Sequence, residues 1–189
     1  MGNDEELSDV RAGLEDVAAM LDEMRAHLST LTEGQALWVP PESGDVWPIQ
    51  RSVTHCVNCE QRAVSELQRA MQGRATPQTT AVDTAIFAWF GPTPWALARM
   101  VDDLKTQVDG LRDTLRPQHM RLEAVRYPNH PARALAEYIG VMQHHTRTHL
   151  EAIRKKLAQL PPTGEYDADI RQAHPEYGRS GEERSARPQ

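Results

Sequence analysis

The stretch from Ala134 to Leu160 constrains the fold most strongly, because it contains no proline and consists largely of helix-forming residues. Apolar and imidazole side chains recur along it at spacings of three and four, which places them on one face of a helix. These side chains belong to Leu135, Tyr138, Met142, His145, His149 and Ala152. The pattern predicts a long helix that turns this face, with two histidines on successive turns, towards the interior of a bundle.

Three earlier stretches show the same helical spacing of apolar residues. We predict helices over residues 8–33, 48–72 and 94–115, with Gly34 as the end of the first. The residues predicted to face inward are Leu14, Val17, Leu21, Met24, Leu28 and Leu31, then Ile49, Val53, Cys56, Glu60, Ala63, Leu67 and Met71, then Leu97, Met100, Val101, Leu104, Val108, Leu111 and Leu115. Strand-like alternation is nearly absent, so the predicted class is all-α.

A long connection separates the second helix from the third. Residues 74–94 are rich in Thr, Pro and Ala, and a connection of this length suits a crossover between helices that are not antiparallel neighbours. The chain is therefore expected to form a four-helix bundle with a long crossover between helices two and three. We expect the bundle to occupy residues 1–160 and the polar residues 161–189 to form a poorly ordered tail.

Composition and charge exclude several classes of partner. The formal net charge is -6 and no basic run stands out, which argues against a nucleic-acid-binding surface. No apolar run is long enough to span a membrane, and the acidic N-terminus is unlike a signal peptide. The chain has only 2 cysteines, too few for a secreted disulfide framework. We expect a cytoplasmic protein without nucleic-acid or membrane partners.

The His-x-x-x-His pair of the last helix suggests a metal site. Imidazoles at positions i and i+4, here His145 and His149, can converge on one divalent ion. A third ligand must come from elsewhere, and the leading candidate is His55, about two turns into the second helix. At about 100° per residue, His55 falls at the edge of the apolar face. The alternative is that the three histidines serve only as caps and surface hydrogen-bonding groups.

A set of residues on the second and fourth helices resembles the DinB-like family. Trp47 opens helix two, His55 follows eight residues later, Glu60 lies five beyond it, and His145 and His149 stand on the last helix. That family consists of metal-binding four-helix bundles related to bacterial damage-inducible proteins and to thiol-dependent transferases. The resemblance spans roughly residues 6 to 160, and it implies that the metal ligands are His55, His145 and His149.

Three protein nitrogens would leave an open position for water or substrate, which distinguishes a catalytic metal from a closed structural one. Zn²⁺ and Ni²⁺ suit imidazole ligands best, and neither is favoured over the other. The resemblance implies a metal-dependent enzyme, a thiol-dependent transferase or a hydrolase, acting on an unidentified small molecule, with a thiol as one candidate. The alternative is a non-catalytic stress-related or binding protein in which the ion ties helices two and four together. No catalytic residue is identified.

Three neighbours of this site have less certain roles. Glu60 is the one acid predicted on the inward face of helix two, where it could orient a ligand histidine or pair with an arginine. Cys56 and Cys59 form a Cys-x-x-Cys sequence, but they lie inside the helix, where its dipole lowers a thiol pKa little. They are expected to be two small buried residues, although Cys59, one turn beyond His55, could approach the ion as a fourth ligand.

A homodimer with two-fold symmetry is also expected. Bundles with this resemblance are often dimers, and Leu7 and Val10 extend the apolar face of the first helix towards its start.

Overall fold

The computed structural model describes residues 3–39, 47–74, 93–124 and 133–160. Its helices are α1 (Asn3–Leu28), α2 (Glu33–Leu37), α3 (Ile49–Met71), α4 (Pro94–Thr114) and α5 (Leu135–Leu157), and a 3-10 helix spans Pro117–Arg121. Two strands of two residues each, β1 (Glu123–Ala124) and β2 (Arg133–Ala134), pair antiparallel just before α5. The four long helices make the fold all-α, as the sequence predicted.

Polar contacts between helices fix the direction of α4 relative to α1. Arg11, near the start of α1, donates from Nη2 to the carbonyl oxygen of Leu115 at 2.9 Å, just past the end of α4. Arg25, near the end of α1, lies 2.8 Å from the Asp102 carboxylate, in the first half of α4. The two helices are therefore antiparallel.

The last helix, α5, runs parallel to α1. Gln143 donates to Asp16 at 3.1 Å, and further along both helices Arg154 binds both carboxylate oxygens of Glu23 at 2.6 Å. This bidentate hydrogen bond with Arg154 is the main reason why the pKa of Glu23 lies below its ordinary value.

Helix α3 runs opposite to α5, because Glu60 faces His145 and the earlier residue His55 faces the later residue His149. Both α3 and α4 therefore run opposite to α1, and these two helices contact each other. Neighbouring helices that run in the same direction need a connection that crosses the length of the bundle. Residues 75–92, which join them, lie outside the described residues, so the crossover itself stays a prediction.

The hydrophobic core follows the predicted faces of the first three long helices. Every residue predicted to face inward there is buried except Leu31, Met71 and Met100, which are partly buried. On α5 the predicted face was right for Leu135, Tyr138 and Met142 but lay beside the fully buried line of residues in the second half of the helix. The buried residues are Leu135, Tyr138, Ile139, Met142, Thr146, Leu150, Ile153 and Lys156. His145, His149 and Ala152 are only partly buried, because the centre of the interior lies along the neighbouring line of residues.

Two predicted helix boundaries were wrong. Helix α1 begins at Asn3 and ends at Leu28, and Gly34 lies inside the short helix α2 instead of ending α1. A reciprocal cap starts α2: Thr32 Oγ1 accepts from the Gln35 amide at 3.2 Å, and Gln35 Oε1 accepts from the Thr32 amide at 2.9 Å. The Thr-x-x-Gln sequence carried this signal, and it outweighs the helix-breaking tendency of glycine.

Leu7 and Val10 belong to the chain's own core, with 7% and 2% of their surfaces exposed. They do extend the apolar face of α1, but they leave no apolar patch there for a second copy. The homodimer therefore stays a prediction without that support.

The tail predicted at residues 161–189 lies outside the described residues. Among the described helices, none has the length and apolar character that crossing a membrane requires.

Gly13 leaves no room for a side chain between α1 and α5. A β-carbon added at Gly13 would lie 2.9 Å from Ile139 Cγ2, whereas one added at Gly110, on α4, would meet nothing within 4 Å. We predict that Gly110→Ala raises the free energy of unfolding by about 0.5–1 kcal/mol through helix propensity. Gly13→Ala gains the same propensity but pushes two helices apart, so it should lower the free energy by about 1 kcal/mol or more. Urea denaturation measures both, and equal stabilisation by the two substitutions would contradict the packing described here.

Candidate metal centre

The three predicted histidines meet between α3 and α5. The Nε2 atom of His145 lies 3.4 Å from Nε2 of His55 and 3.1 Å from Nε2 of His149. The ring centroids are 5.4 Å apart for His55 and His145, 5.2 Å for His55 and His149, and 4.6 Å for His145 and His149. Helical spacing brings His145 and His149 together on successive turns of α5, and the antiparallel packing of α3 brings His55 to them. His144, one position round the helix, is exposed, as expected.

Glu60 determines which nitrogen of His145 faces the other two rings. Its side chain is fully buried, and its Oε1 atom lies 2.5 Å from Nδ1 of His145. An ionised carboxylate only accepts hydrogen bonds, so contact with an ionised Glu60 selects the tautomer of His145 that carries its proton on Nδ1. In that tautomer the lone pair is on Nε2, the atom that faces His55 and His149. This is the arrangement that metal-binding histidines commonly show.

A thiol lies beside the imidazoles. Cys59 Sγ is 3.6 Å from Nε2 of His55. Together with His145, these residues form a group whose possible ligand atoms all lie within 4.8 Å of one another. All three side chains are partly buried. The described residues therefore contain a histidine–cysteine–histidine group that could hold a metal ion, and it overlaps the three-histidine set predicted from the sequence.

The spacing of these atoms fits a tetrahedral ion. With metal–nitrogen bonds of 2.0–2.1 Å and a metal–sulfur bond of 2.3 Å, tetrahedral geometry separates two nitrogens by about 3.3–3.4 Å and a nitrogen from a sulfur by about 3.5–3.6 Å. The corresponding distances in the structure are 3.1 and 3.4 Å between nitrogens and 3.6 Å between nitrogen and sulfur. Each of these three pairs therefore lies within about 0.3 Å of its tetrahedral spacing. The ligand atoms that are all close to one another belong to His55, Cys59 and His145, and His149 adjoins this group through its contact with His145.

Trp47 and Arg51 border the site on the side of His55. The ring of Trp47 meets the ring of His55 edge-on, with centroids 5.1 Å apart, and the Arg51 guanidinium lies 4.5 Å from the centroid of Trp47. The tryptophan restricts the positions that the His55 ring can adopt. Arg51, His55 and Cys59 are spaced by four, so they form one line along the start of α3, and Trp47 stands just before the helix. The family resemblance included Trp47, but the spacing of Arg51 was not connected with the site.

Trp95, at the start of α4, is not packed as Trp47 is, although a tryptophan at a helix start usually packs against the end of a bundle. It is 70% exposed.

The pattern of helices and histidines has a counterpart among known families. A profile of the DinB superfamily matches residues 16–153, well over half of the chain. The chain belongs to the DinB superfamily. The match includes all of α3, α5 as far as residue 153, and every histidine and cysteine of the candidate metal centre together with Glu60. No curated protein and no solved structure matches this DinB-superfamily chain.

The orienting role of Glu60 predicts an effect on metal affinity. Glu60→Gln keeps the size of the side chain but replaces a charged acceptor with a weaker neutral one, so His145 becomes a poorer ligand. We expect the affinity for Zn²⁺ to fall about 10-fold to 100-fold, the range usual for loss of such a partner. Competition with a chromophoric chelator measures this affinity.

Glu66→Gln is the matched control, because Glu66 is also buried on α3, with 5% of its surface exposed, but lies almost two turns further along the helix. It should leave the Zn²⁺ affinity unchanged. Equal losses in the two variants would show that a general effect of buried charge is responsible, and the orienting role would have to be abandoned.

Proposed function

We propose that this protein is a divalent-metal-dependent enzyme in which His55, His145 and His149 hold the ion. The reaction would be of the thiol-dependent transferase or hydrolase type. One observation carries the proposal: the Nε2 atoms from two helices converge at 3.1 and 3.4 Å, spacings that one ion accommodates. Superfamily membership supports the proposal through the metal-binding character of the family.

The position of the site supports access for a small molecule. His145, the central ring, exposes 23% of its side chain, while the partner that orients it is fully buried. The site therefore has a solvent-facing side, where a substrate can approach, and an interior side that holds the ligands in place. A bound divalent ion would supply Lewis acidity and lower the pKa of a bound water or thiol.

The chain's own residues then have distinct tasks. Glu60 accepts the Nδ1 proton of His145 and so keeps Nε2 available as a donor atom. Trp47 packs against His55 and limits the movement of its ring. Arg51, whose guanidinium lies over the ring of Trp47, contributes a positive charge on the same side of the site. We assign no general base among these residues. The nucleophile would be the substrate itself or a water bound to the ion.

A second candidate function is favoured by a specific observation. Cys59 Sγ lies within ligand distance of the same group, and a fourth protein ligand is typical of a closed, structural ion. If Cys59 stays bound to the ion permanently, the protein is a non-catalytic stress-related or binding protein in which the ion ties α3 to α5.

Folding energetics separate the two candidates. The core residues of all four long helices are buried without any contribution from the histidines, so the bundle should fold without the ion. We predict that His145→Ala abolishes tight Zn²⁺ binding but keeps the helical content, with only modest destabilisation. Circular dichroism with a thermal melt, together with metal analysis, measures both properties.

His144→Ala is the matched control, because His144 is the exposed neighbour on the same helix and should affect neither property. If His145→Ala instead unfolds the protein along with the loss of metal, the ion is structural, since its binding free energy is then folding free energy. That outcome would sink the catalytic proposal.

Activity is tested directly by metal analysis followed by thiol-transfer and hydrolysis assays. We expect purified protein to carry about one divalent ion per chain, Zn²⁺ or Ni²⁺, in line with the imidazole donors. Turnover should disappear with a chelator and return when the same ion is added back. Full activity in metal-free protein would contradict the proposal.

Location and assembly complete the proposed picture. We infer a cytoplasmic location, which suits Cys56 and Cys59, because both are thiols and no disulfide joins them. A homodimer is retained from the sequence analysis, and sedimentation at micromolar concentration tests it.

A further inference from the structure

We infer that Cys59 is a fourth protein ligand of the ion and that its sulfur holds the coordination position that an external thiol would use. The inference rests on the proposed function, because it needs an ion held by the histidines. It adds that the site is closed before substrate arrives.

The position of Cys59 on α3 is the first argument. Cys59 follows His55 by four residues, the same spacing as His145 and His149 on α5, so each pair projects from successive turns of its helix. The possible ligand atoms of His55, Cys59 and His145 all lie within 4.8 Å of one another. Its sulfur lies 3.6 Å from His55 Nε2, as a tetrahedral ion with one thiolate and imidazole ligands requires. Two i, i+4 pairs facing each other across a helix interface supply four donors.

The contrast with Cys56 is the second argument. Cys56 belongs to the hydrophobic core and is fully buried, whereas Cys59 is partly buried beside the imidazoles. At about 100° per residue, Cys59 lies about 40° from His55 around the helix, whereas Cys56 lies about 100° from it. The Cys-x-x-Cys sequence therefore consists of one core residue and one residue beside the imidazoles, and no disulfide joins them.

The chemistry of closure and opening balances without any redox partner. Cys59 would hold a bound ion as a thiolate, after its thiol has given its proton to water and its sulfur has taken the place of a bound water. An external thiol would take that place in turn, and its proton would pass to the Cys59 sulfur. No net charge is gained or lost in the exchange, so a substrate thiol can replace Cys59 without a separate base.

A thiolate also changes which metal the site prefers. Three imidazole nitrogens suit Zn²⁺ and Ni²⁺ alike, but a tetrahedral set with one sulfur is typical of Zn²⁺. Cys59 thus makes Zn²⁺ the expected ion in the intact protein.

Cobalt substitution tests the inference, because Co²⁺ takes tetrahedral sites and a bound thiolate gives it a sulfur-to-metal charge-transfer absorption. The full-length protein, Cys59→Ala and the control Cys56→Ala are each loaded with Co²⁺ in the absence of any added thiol. Their spectra are then recorded before and after addition of 2-mercaptoethanol.

We expect the charge-transfer absorption in the unaltered protein and in Cys56→Ala, and its complete loss in Cys59→Ala, which should still bind Co²⁺. Adding 2-mercaptoethanol to Cys59→Ala should restore the absorption, because the external sulfur takes the vacated position. Bound Co²⁺ without this absorption in the unaltered protein would overturn the role of Cys59 and leave the three-histidine proposal standing. Loss of the absorption in Cys56→Ala but not in Cys59→Ala would also overturn it.

Failure of 2-mercaptoethanol to restore the absorption in Cys59→Ala would overturn the shared position. If the unaltered protein binds no Co²⁺, the proposed function fails together with this inference. The experiment therefore distinguishes a wrong ligand from the absence of a metal centre.

Discussion

The hydrogen bond between Glu60 and His145 is the contact on which the candidate metal centre depends. A fully buried carboxylate is costly unless it is paired or hydrogen-bonded, and Glu60 meets His145 across the interface between α3 and α5. The bond fixes the ring's orientation and puts its lone pair on Nε2. That nitrogen then stands between those of His55 and His149. Without this contact the His145 ring could turn, and the convergence of the three imidazoles would be lost.

The rest of the bundle positions this contact but does not require it. The core residues form one continuous cluster along all four long helices, and the histidines lie at its border with solvent. A border position meets two physical demands at the same time. The inner side holds the His145 ring through the buried Glu60, and the outer side of the ring faces solvent. The core that holds the bundle together and the residues of the candidate site are therefore largely different residues.

The sequence predicted the long helices well because their apolar spacing is regular and local. It failed where several weak local signals compete, as at Thr32 to Gln35, where a reciprocal cap starts a helix that contains a glycine. It also misjudged the inward face of α5, because His145 and His149 were counted as interior residues. The buried polar residue Thr146 and the buried Leu150 instead lie on the line that faces the core.

The candidate site was predictable only in part, for a physical reason. The pairing of His145 with His149 follows from helical spacing alone. The meeting of His55 with that pair depends on the direction and register of α3 against α5, which local spacing does not determine; only the family resemblance suggested it. The closeness of Cys59 to His55 follows from a spacing of four, but its place beside His145 depends on the same packing.

The central claim is that imidazoles from α3 and α5 bind one ion, and X-ray absorption spectroscopy of the zinc-loaded protein tests it most directly. The account predicts a first coordination shell dominated by imidazole nitrogens at about 2.0–2.1 Å, with the multiple-scattering pattern of ring ligands. That pattern should weaken when His55 on α3 or His149 on α5 is replaced by alanine. A shell of oxygen atoms alone, unchanged by either substitution, would mean that zinc binds elsewhere on the surface and would contradict the account.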